Sequence, residues 1–454
     1  MSRRSFPEGF LWGVATSAQQ IEGSPSAGGR GESIWDVFAS VPGNIEDGSN
    51  PGTACDHYRR WREDLELMKR LGIGAYRFSV SWPRVFPDGG GTPNPAGLDF
   101  YEALVDGLLE EGIVPFLTLN HWDLPRALQD RGGWPERSTV GAFVDYAAAV
   151  AERLGDRVRH WTTHNEPWCV ATLGYEEGAH APGRRNPEEA LRTAHHLLLS
   201  HGRAAAAIRR IVPETEVGIV LNLSPAWPET ESERDRDAAR WFDGFFNRWY
   251  LDPLFRGRYP EDAIADRVAR GHLPPGGLPF LREGDLEEIH SPLDFLGVNY
   301  YSRTMLRADE NGRPVGFAGA PEEELDLMGW EVFPRGLHDI LLRVHREYGP
   351  PAVYITENGT ALPDEPDGEG WIRDERRVDY MRRHLAEAHR AIEAGVPLRG
   401  YFAWTLMDNF EWGHGYTKRF GLFHVDFRTG ERTAKESARW YRDVAAANAV
   451  DGRD

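Results

Sequence analysis

The sequence predicts an α/β fold: a single (β/α)8 TIM barrel with long βα loops at its C-terminal face. Three observations point there. Eight short β-rich runs recur along the chain, helical stretches separate them, and polar groups concentrate at the C-terminal ends of the runs. The runs lie at 10–18, 75–82, 114–120, 160–165, 217–223, 294–301, 352–356 and 398–405. β-branched and aromatic residues dominate them. Amphipathic helical stretches span 58–71, 98–110, 140–154, 188–211 (stopping before Pro213) and 372–394. A doubly wound open sheet is the competing arrangement, but no glycine fingerprint opens any of these units. No linker or low-complexity tract divides the chain, so one domain is expected over 1–454. Gly/Pro-rich stretches near 86–97, 307–324 and 359–370 read as long loops. The last two follow strands and are expected at the C-terminal face.

Bulk properties exclude several classes. With 41% hydrophobic and 27% charged residues the chain can bury a large core. Its formal charge of −19, from 71 acidic against 52 basic side chains, disfavours nucleic acid and anionic membranes as partners. Cys55 and Cys169 match neither a metal spacing nor a disulfide framework, and Cys169 reads as a small buried hydrophobe. The N-terminus lacks the apolar stretch of a signal peptide, and no run approaches the ~18 apolar residues that cross a bilayer. A cytoplasmic protein is expected. His195, His196 and His201 match no zinc motif and read as one helix, so no metal is expected there.

The run ends carry the chemistry. In order they are Gln20, Arg77, His121 with Trp122, Asn165 with Glu166, Asn222, Asn299 with Tyr301, Glu357, and Trp404. A barrel gathers strand ends around one mouth, so these groups converge although Glu166 and Glu357 stand far apart in sequence. Carboxamides, histidine and carboxylates are partners for sugar hydroxyls, and tryptophan offers a flat face to a pyranose ring. Sixteen tryptophans are many for a chain of this size, and two of them, Trp404 and Trp412, flank Asp408 and Glu411 just past the last run. A glycosidic bond is broken by two carboxyl groups, and Glu166 and Glu357 fit that need.

Together these residues resemble the β-glucosidase family of retaining glycoside hydrolases, glycoside hydrolase family 1. The resemblance runs from Phe10-Leu11-Trp12-Gly13 to Trp440-Tyr441. Between them come Tyr76-Arg77-Phe78-Ser79, Asn120-His121-Trp122-Asp123, Asn165-Glu166-Pro167, Thr356-Glu357-Asn358-Gly359 and the 404–412 run. It implies Glu166 as acid/base and Glu357 as nucleophile. Gln20, His121, Trp122, Asn165, Glu411 and Trp412 are implied as contacts of the sugar, with Trp404 beneath its ring. Arg77 and Tyr301 are implied to support the nucleophile, Asn299 to lie by the acid/base, and Trp330 to stack on the leaving group. Trp168, His180 and Asn222 are implied on that outer side. Thr405 and His164 depart from common family residues, and His164 is expected to alter packing behind the acid/base. Glu411 would repel a 6-phosphate. Lys418 follows it, but Phe420 stands where a phosphate-binding tyrosine is usual, so an unphosphorylated sugar is implied.

The expected reaction is double displacement on a terminal β-D-glucosyl residue of cello-oligosaccharides or aryl and alkyl glucosides, with β-galactosidase or β-fucosidase side activity. No cofactor and no metal enter it. The expected partner is a small-molecule β-glucoside or β-linked oligosaccharide; a homo-oligomer is compatible with the sequence. A transglycosylase or a non-catalytic sugar-binding barrel uses the same fold. Arg77 should lower the pKa of Glu357, and the Glu357 charge should raise that of Glu166.

Overall fold

The computed structural model describes residues 3–451, so the ends of the expected 1–454 unit, including the first two residues of the N-terminus read above, lie outside the described residues. Eight parallel strands close on themselves: β1 (Leu11–Ala15), β2 (Ala75–Ser79), β3 (Val114–Asn120), β4 (His160–Asn165), β5 (Glu216–Asn222), β6 (Phe295–Asn299), β7 (Val353–Asn358) and β8 (Leu398–Trp404). Each strand pairs with its sequence neighbours, and β8 pairs with β1 from Gly400–Leu11 to Trp404–Ala15. Because helices cover the outside and side chains fill the inside, strands such as β2 and β4 are buried at every position.

The barrel interior is an aromatic plug. Phe116 meets Phe295, Tyr354 and Phe402 with centroids 5.2, 5.3 and 5.0 Å away. Small residues make room for it: Ala15 and Ala75 share this layer, and a Cβ at Gly13 would lie 2.4 Å from the Phe402 ring. The same buried cluster continues upward through Trp404 and Phe420 and is flanked by Tyr301 and Trp330. The floor of the mouth is thus the top of the barrel core.

The expected helices are present with small shifts in their ends: His57–Leu71, Pro95–Glu110, Ser138–Leu154, Pro187–Ile211 and Glu375–Glu393. Pro95 and Pro187 begin their helices because a first-turn residue needs no N–H partner. Three expectations need correction. The first run is shorter than expected, since Ala18–Ile21 already forms a helical turn carrying Gln20. The run expected to end at Thr356 extends to Asn358, so Glu357 lies within β7. Residues 307–324 are not a plain loop: Thr304–Ala308 pairs with Pro314–Phe317, and Ala226–Pro228 joins them as a three-stranded sheet. That sheet packs against the helix Glu233–Asp243 through Ala238, Ala239 and Leu306.

A buried ionic cluster anchors the loops after β7 and β8. Lys435 Nζ donates to Asp364 at 2.6 Å and to Asp408 at 2.7 Å. Arg377 pairs with Asp364 and Asp374, each at 2.6 Å, and Arg419 with Asp408 at 2.8 Å. Removing one partner from such a cluster costs about 3–5 kcal/mol, because the other charges stay buried without compensation. Asp408 sits three residues before Glu411, so the cluster also sets the path of that segment.

Candidate active site

The two glutamates end up in unlike surroundings. Glu166 follows β4 with φ of 48°, a left-handed conformation uncommon for a residue with a side chain and concentrated at functional positions. Its backbone N–H is tied to Val220 at 2.9 Å, and its side chain is buried. Asn299 Nδ2 donates to its Oε1 at 2.7 Å, and the Cys169 thiol donates to its Oε2 at 3.2 Å. Burial and the charge of Glu357 push its pKa up to about 8. Burial is the larger cause, and the Glu357 charge adds to it in the expected direction.

Glu357 has charge-stabilising partners instead. Arg77 Nη1 donates to Oε1 and Tyr301 Oη to Oε2, both at 2.6 Å. Burial pushes this carboxyl up, while the Arg77 guanidinium and the Tyr301 hydroxyl pull it back. The expected effect of Arg77 is therefore present but opposed by burial. Asn358, the next residue, locks the strand end by donating to Tyr300 O at 2.7 Å and the Tyr380 hydroxyl at 2.9 Å.

Asn165 connects the two. Its Oδ1 accepts from Arg77 Nη2 at 2.6 Å and from Asn299 Nδ2 at 3.1 Å, and its amide nitrogen meets His121 Nε2 at 3.1 Å. That contact makes Nε2 the acceptor and leaves the proton on Nδ1, which has no protein partner among the described residues. Burial holds His121 neutral, its pKa well below the ordinary value. Its ring lies nearly parallel to Trp404 and Trp412, at 19° and 16°. Trp122, also left-handed at φ of 77°, donates to Asn165 O at 2.9 Å and packs 4.5 Å from Trp412.

Glu411 is the third buried acid. Gln20 Nε2 donates to it at 3.3 Å and to Phe410 O at 2.9 Å, while Ser17 donates to Gln20 Oε1 at 2.7 Å. Burial, with the charges of Glu357 and Glu166, pushes Glu411 up to about 8. Glu411 therefore holds its proton more tightly than an exposed carboxyl does, and in the protonated form it can donate as well as accept.

These groups face one cavity of about 410 Å³. It takes in both catalytic candidates, Glu411, His121, Trp122, Trp404 and Trp412, with Asn299 and Tyr301 at the side. Trp330 and Phe420 bound it above, their rings 5.0 and 6.1 Å from Tyr301. Trp168, His180 and Asn222 line the same cavity, whereas Gln20, Arg77 and Asn165 do not and act from behind it. His164 points away from it, bonding Asn120 at 3.0 Å and Ser200 at 2.8 Å and stacking on Phe143. It fills the space behind β4, as expected.

Other residues escaped sequence reasoning. Phe242 and Phe246 line the outer wall, stacked 4.9 Å apart, with Trp168 4.5 Å from Phe246. Their four-residue spacing on a helix is the signal that was available. Cys169, expected as an inert hydrophobe, is buried but bonded to Glu166, which corrects that reading. The three histidines considered for metal have separate partners: His195 meets Asp285, His196 the Trp134 carbonyl and His201 the Thr163 hydroxyl.

The Glycosyl hydrolase family 1 model matches residues 2–450. Beta-glucosidase A of Thermotoga maritima is 46% identical over 456 residues, covering 99% of this chain and all of the relative. A bifunctional beta-D-glucosidase/beta-D-fucosidase of Bifidobacterium breve is 44% identical over 462 residues, covering 97% of this chain and 98% of the relative. The solved family 1 β-glucosidase of Thermotoga maritima in complex with isofagomine lactam superposes with a TM-score of 0.94 at 46% identity, over 99% of this chain and 100% of that one. Family match, relatives and fold agree over nearly the full length, and the chain belongs to glycosyl hydrolase family 1.

Proposed function

We propose that the protein is a retaining β-glucosidase carried by one catalytic unit, removing the terminal β-D-glucosyl residue from β-linked oligosaccharides and aryl or alkyl glucosides. One observation carries the reading: two buried carboxyl groups face the same cavity with opposite support. Glu357 receives a guanidinium and a phenol, whereas Glu166 receives only neutral donors. The first arrangement stabilises a charged nucleophile, and in the second burial and the Glu357 charge outweigh the two donors and keep a proton near neutral pH.

In the first step Glu166 Oε–H protonates the glycosidic oxygen as the Glu357 carboxylate attacks the anomeric carbon. The leaving alcohol departs and a glycosyl ester remains on Glu357. Esterification removes the Glu357 charge, one of the two causes that hold the Glu166 proton in place. Glu166, already ionised by its transfer to the leaving group, takes a proton from water, and the hydroxide oxygen displaces Glu357 to give the β-sugar. Arg77 and Tyr301 stabilise the departing carboxylate in this second step. His121, Glu411 and Trp412 hold the sugar hydroxyls, Trp404 carries the ring, and Trp330, Trp168, His180 and Asn222 receive the leaving group. A β-fucosidase side activity is supported by the bifunctional Bifidobacterium breve relative, and galactose tolerance fits the same pocket.

The buried thiols Cys55 and Cys169 suit a reducing compartment, and we place the enzyme in the cytoplasm, acting on cello-oligosaccharides from cellulose degradation. Among the described residues no helix is long and apolar enough to cross a membrane.

The test is a panel of nitrophenyl β-glycosides and cellobiose followed across pH. Glucosides are expected to be cleaved fastest, with kcat/KM falling as pH rises through about 8, where Glu166 loses its proton. Activity confined to α-glycosides, or undiminished at pH 10, contradicts the proposal. Transfer product exceeding free glucose at low acceptor concentration identifies a transglycosylase instead.

A further inference from the structure

Glu166 is held between two neutral donors, and one of them is unusual. Oε1 is fixed by Asn299 from β6, while Oε2 accepts from the thiol of Cys169, three residues along the chain. Cys169 opens the π-helical segment Cys169–Glu177, and its backbone N–H bonds Glu166 O at 3.0 Å, a tight turn that sets its Sγ beside the carboxyl. The sulfur in turn accepts from Asn222 Nδ2 at 3.6 Å. Asn222 closes β5 and lines the cavity on the outer side, so a line of donors runs from the outer cavity wall to the second oxygen of Glu166.

The geometry points to Cys169 as a positioning residue: its thiol, oriented by Asn222, fixes the rotamer of the Glu166 carboxyl and stabilises the carboxylate that activates water in the second half of the reaction. This rests on Glu166 being the acid/base.

The physical argument is one of proton geometry. When Glu166 is ionised, Oε2 has a free lone pair and the thiol hydrogen points at it. When Glu166 carries its proton on Oε2, that proton and the thiol hydrogen compete for the same line, and the thiol must turn away. The contact therefore favours the charged form. Cys169 remains a thiol throughout, because burial and the neighbouring Glu166 push its own pKa well above the ordinary value. The other ionisable groups around Glu166 are Glu357 from β7, Arg77 from β2, Tyr301 after β6 and Glu411 after β8. A change at Cys169 alters none of them directly.

The experiment compares wild type, Cys169→Val and Cys169→Ser by pH profile, with thermal melting as a control. Valine fills the place of the sulfur with a methyl group, adds a second one, and cannot donate; serine restores a donor. In Cys169→Val the alkaline limb of kcat/KM is expected to move up by about half a pH unit, since the charged form has lost a hydrogen bond. Turnover of a dinitrophenyl glucoside, limited by the second step because its first needs no acid, is expected to fall about threefold at pH 6. Cys169→Ser is expected to keep the wild-type limb within about 0.2 units. An unmoved limb in a Cys169→Val protein of normal Tm overturns the inference, and so does an equal displacement in both variants. If Cys169→Val does not fold, Cys169→Ala supplies the same readout. Failure of the acid/base reading is recognised separately, as near wild-type hydrolysis of unactivated glucosides by Glu166→Ala.

Discussion

Replacing Glu357 by glycine is expected to abolish hydrolysis of β-glucosides, with kcat falling on the order of 10⁴- to 10⁶-fold, and added azide is expected to restore turnover with an α-glucosyl azide as product. The loss is large because nothing else in the cavity can attack the anomeric carbon. Glu166 is held on the leaving-group side by Asn299 and Cys169, and Glu411 is tied to Gln20. The rescue follows from the space left behind. Glycine removes the whole side chain between Arg77 and Tyr301, which each held one carboxylate oxygen at 2.6 Å, and a small anion can enter beside that guanidinium. Attack by azide is a single displacement, so its product has the inverted configuration. The checks are an initial-rate titration with azide and the anomeric configuration of the product by NMR. Rescue giving a β-azide, or no rescue with a folded variant, counts against Glu357 as the nucleophile.

The second large effect lies at Glu166. In Glu166→Ala, hydrolysis of cellobiose and simple alkyl glucosides is expected to fall about 10²- to 10⁴-fold, because their leaving oxygen needs a proton. The first step on a dinitrophenyl glucoside is expected to change little, since that phenolate departs unaided. The burst of dinitrophenol should therefore persist while steady turnover drops, because water has lost its base. The alkaline fall near pH 8 should vanish from the variant, as the group responsible for it is gone. Equal losses on both substrate types, or an alkaline limb that stays in place, argue that Glu166 is not the acid.

Much of this site was legible from residue types at strand ends. Barrel topology converts eight separated run ends into one ring, and His121, Glu166, Asn222, Asn299, Glu357 and Trp404 face its cavity, with Gln20, Arg77 and Asn165 behind them. Two kinds of information stayed hidden, for different physical reasons. The first is which groups stand behind others: Arg77, Asn165 and Gln20 are each held by several protein partners, and periodicity carries no hydrogen-bond register. The second is the walls that come from insertions rather than from the repeating βα units. Phe242 and Phe246 belong to helices between β5 and β6 that no expected stretch covered, and the sheet at Thr304–Phe317 follows β6 where Gly and Pro suggested a loop. Glu411 shows a further limit. Its chemistry depends less on being a glutamate than on being buried beside two other acids, which only the packed structure reveals.

Cys169 is the instructive case within the motif itself. As a residue type it suggests a small apolar filler, and it is buried. The tight turn in which the Cys169 N–H bonds Glu166 O at 3.0 Å is what brings the sulfur to Glu166, and such a turn has no signature in composition.

The central claim is that the unequal support of two buried glutamates makes Glu357 the group that bonds to the sugar. The most direct measurement is to trap that bond with a 2-deoxy-2-fluoro-β-glucoside carrying an activated leaving group, which slows the second step more than the first. Peptide mass spectrometry of the inactivated enzyme is predicted to find one fluoroglucosyl group, on the peptide containing Glu357. A label on Glu166, or no covalent adduct together with α-glucose as the first product of normal hydrolysis, contradicts the account.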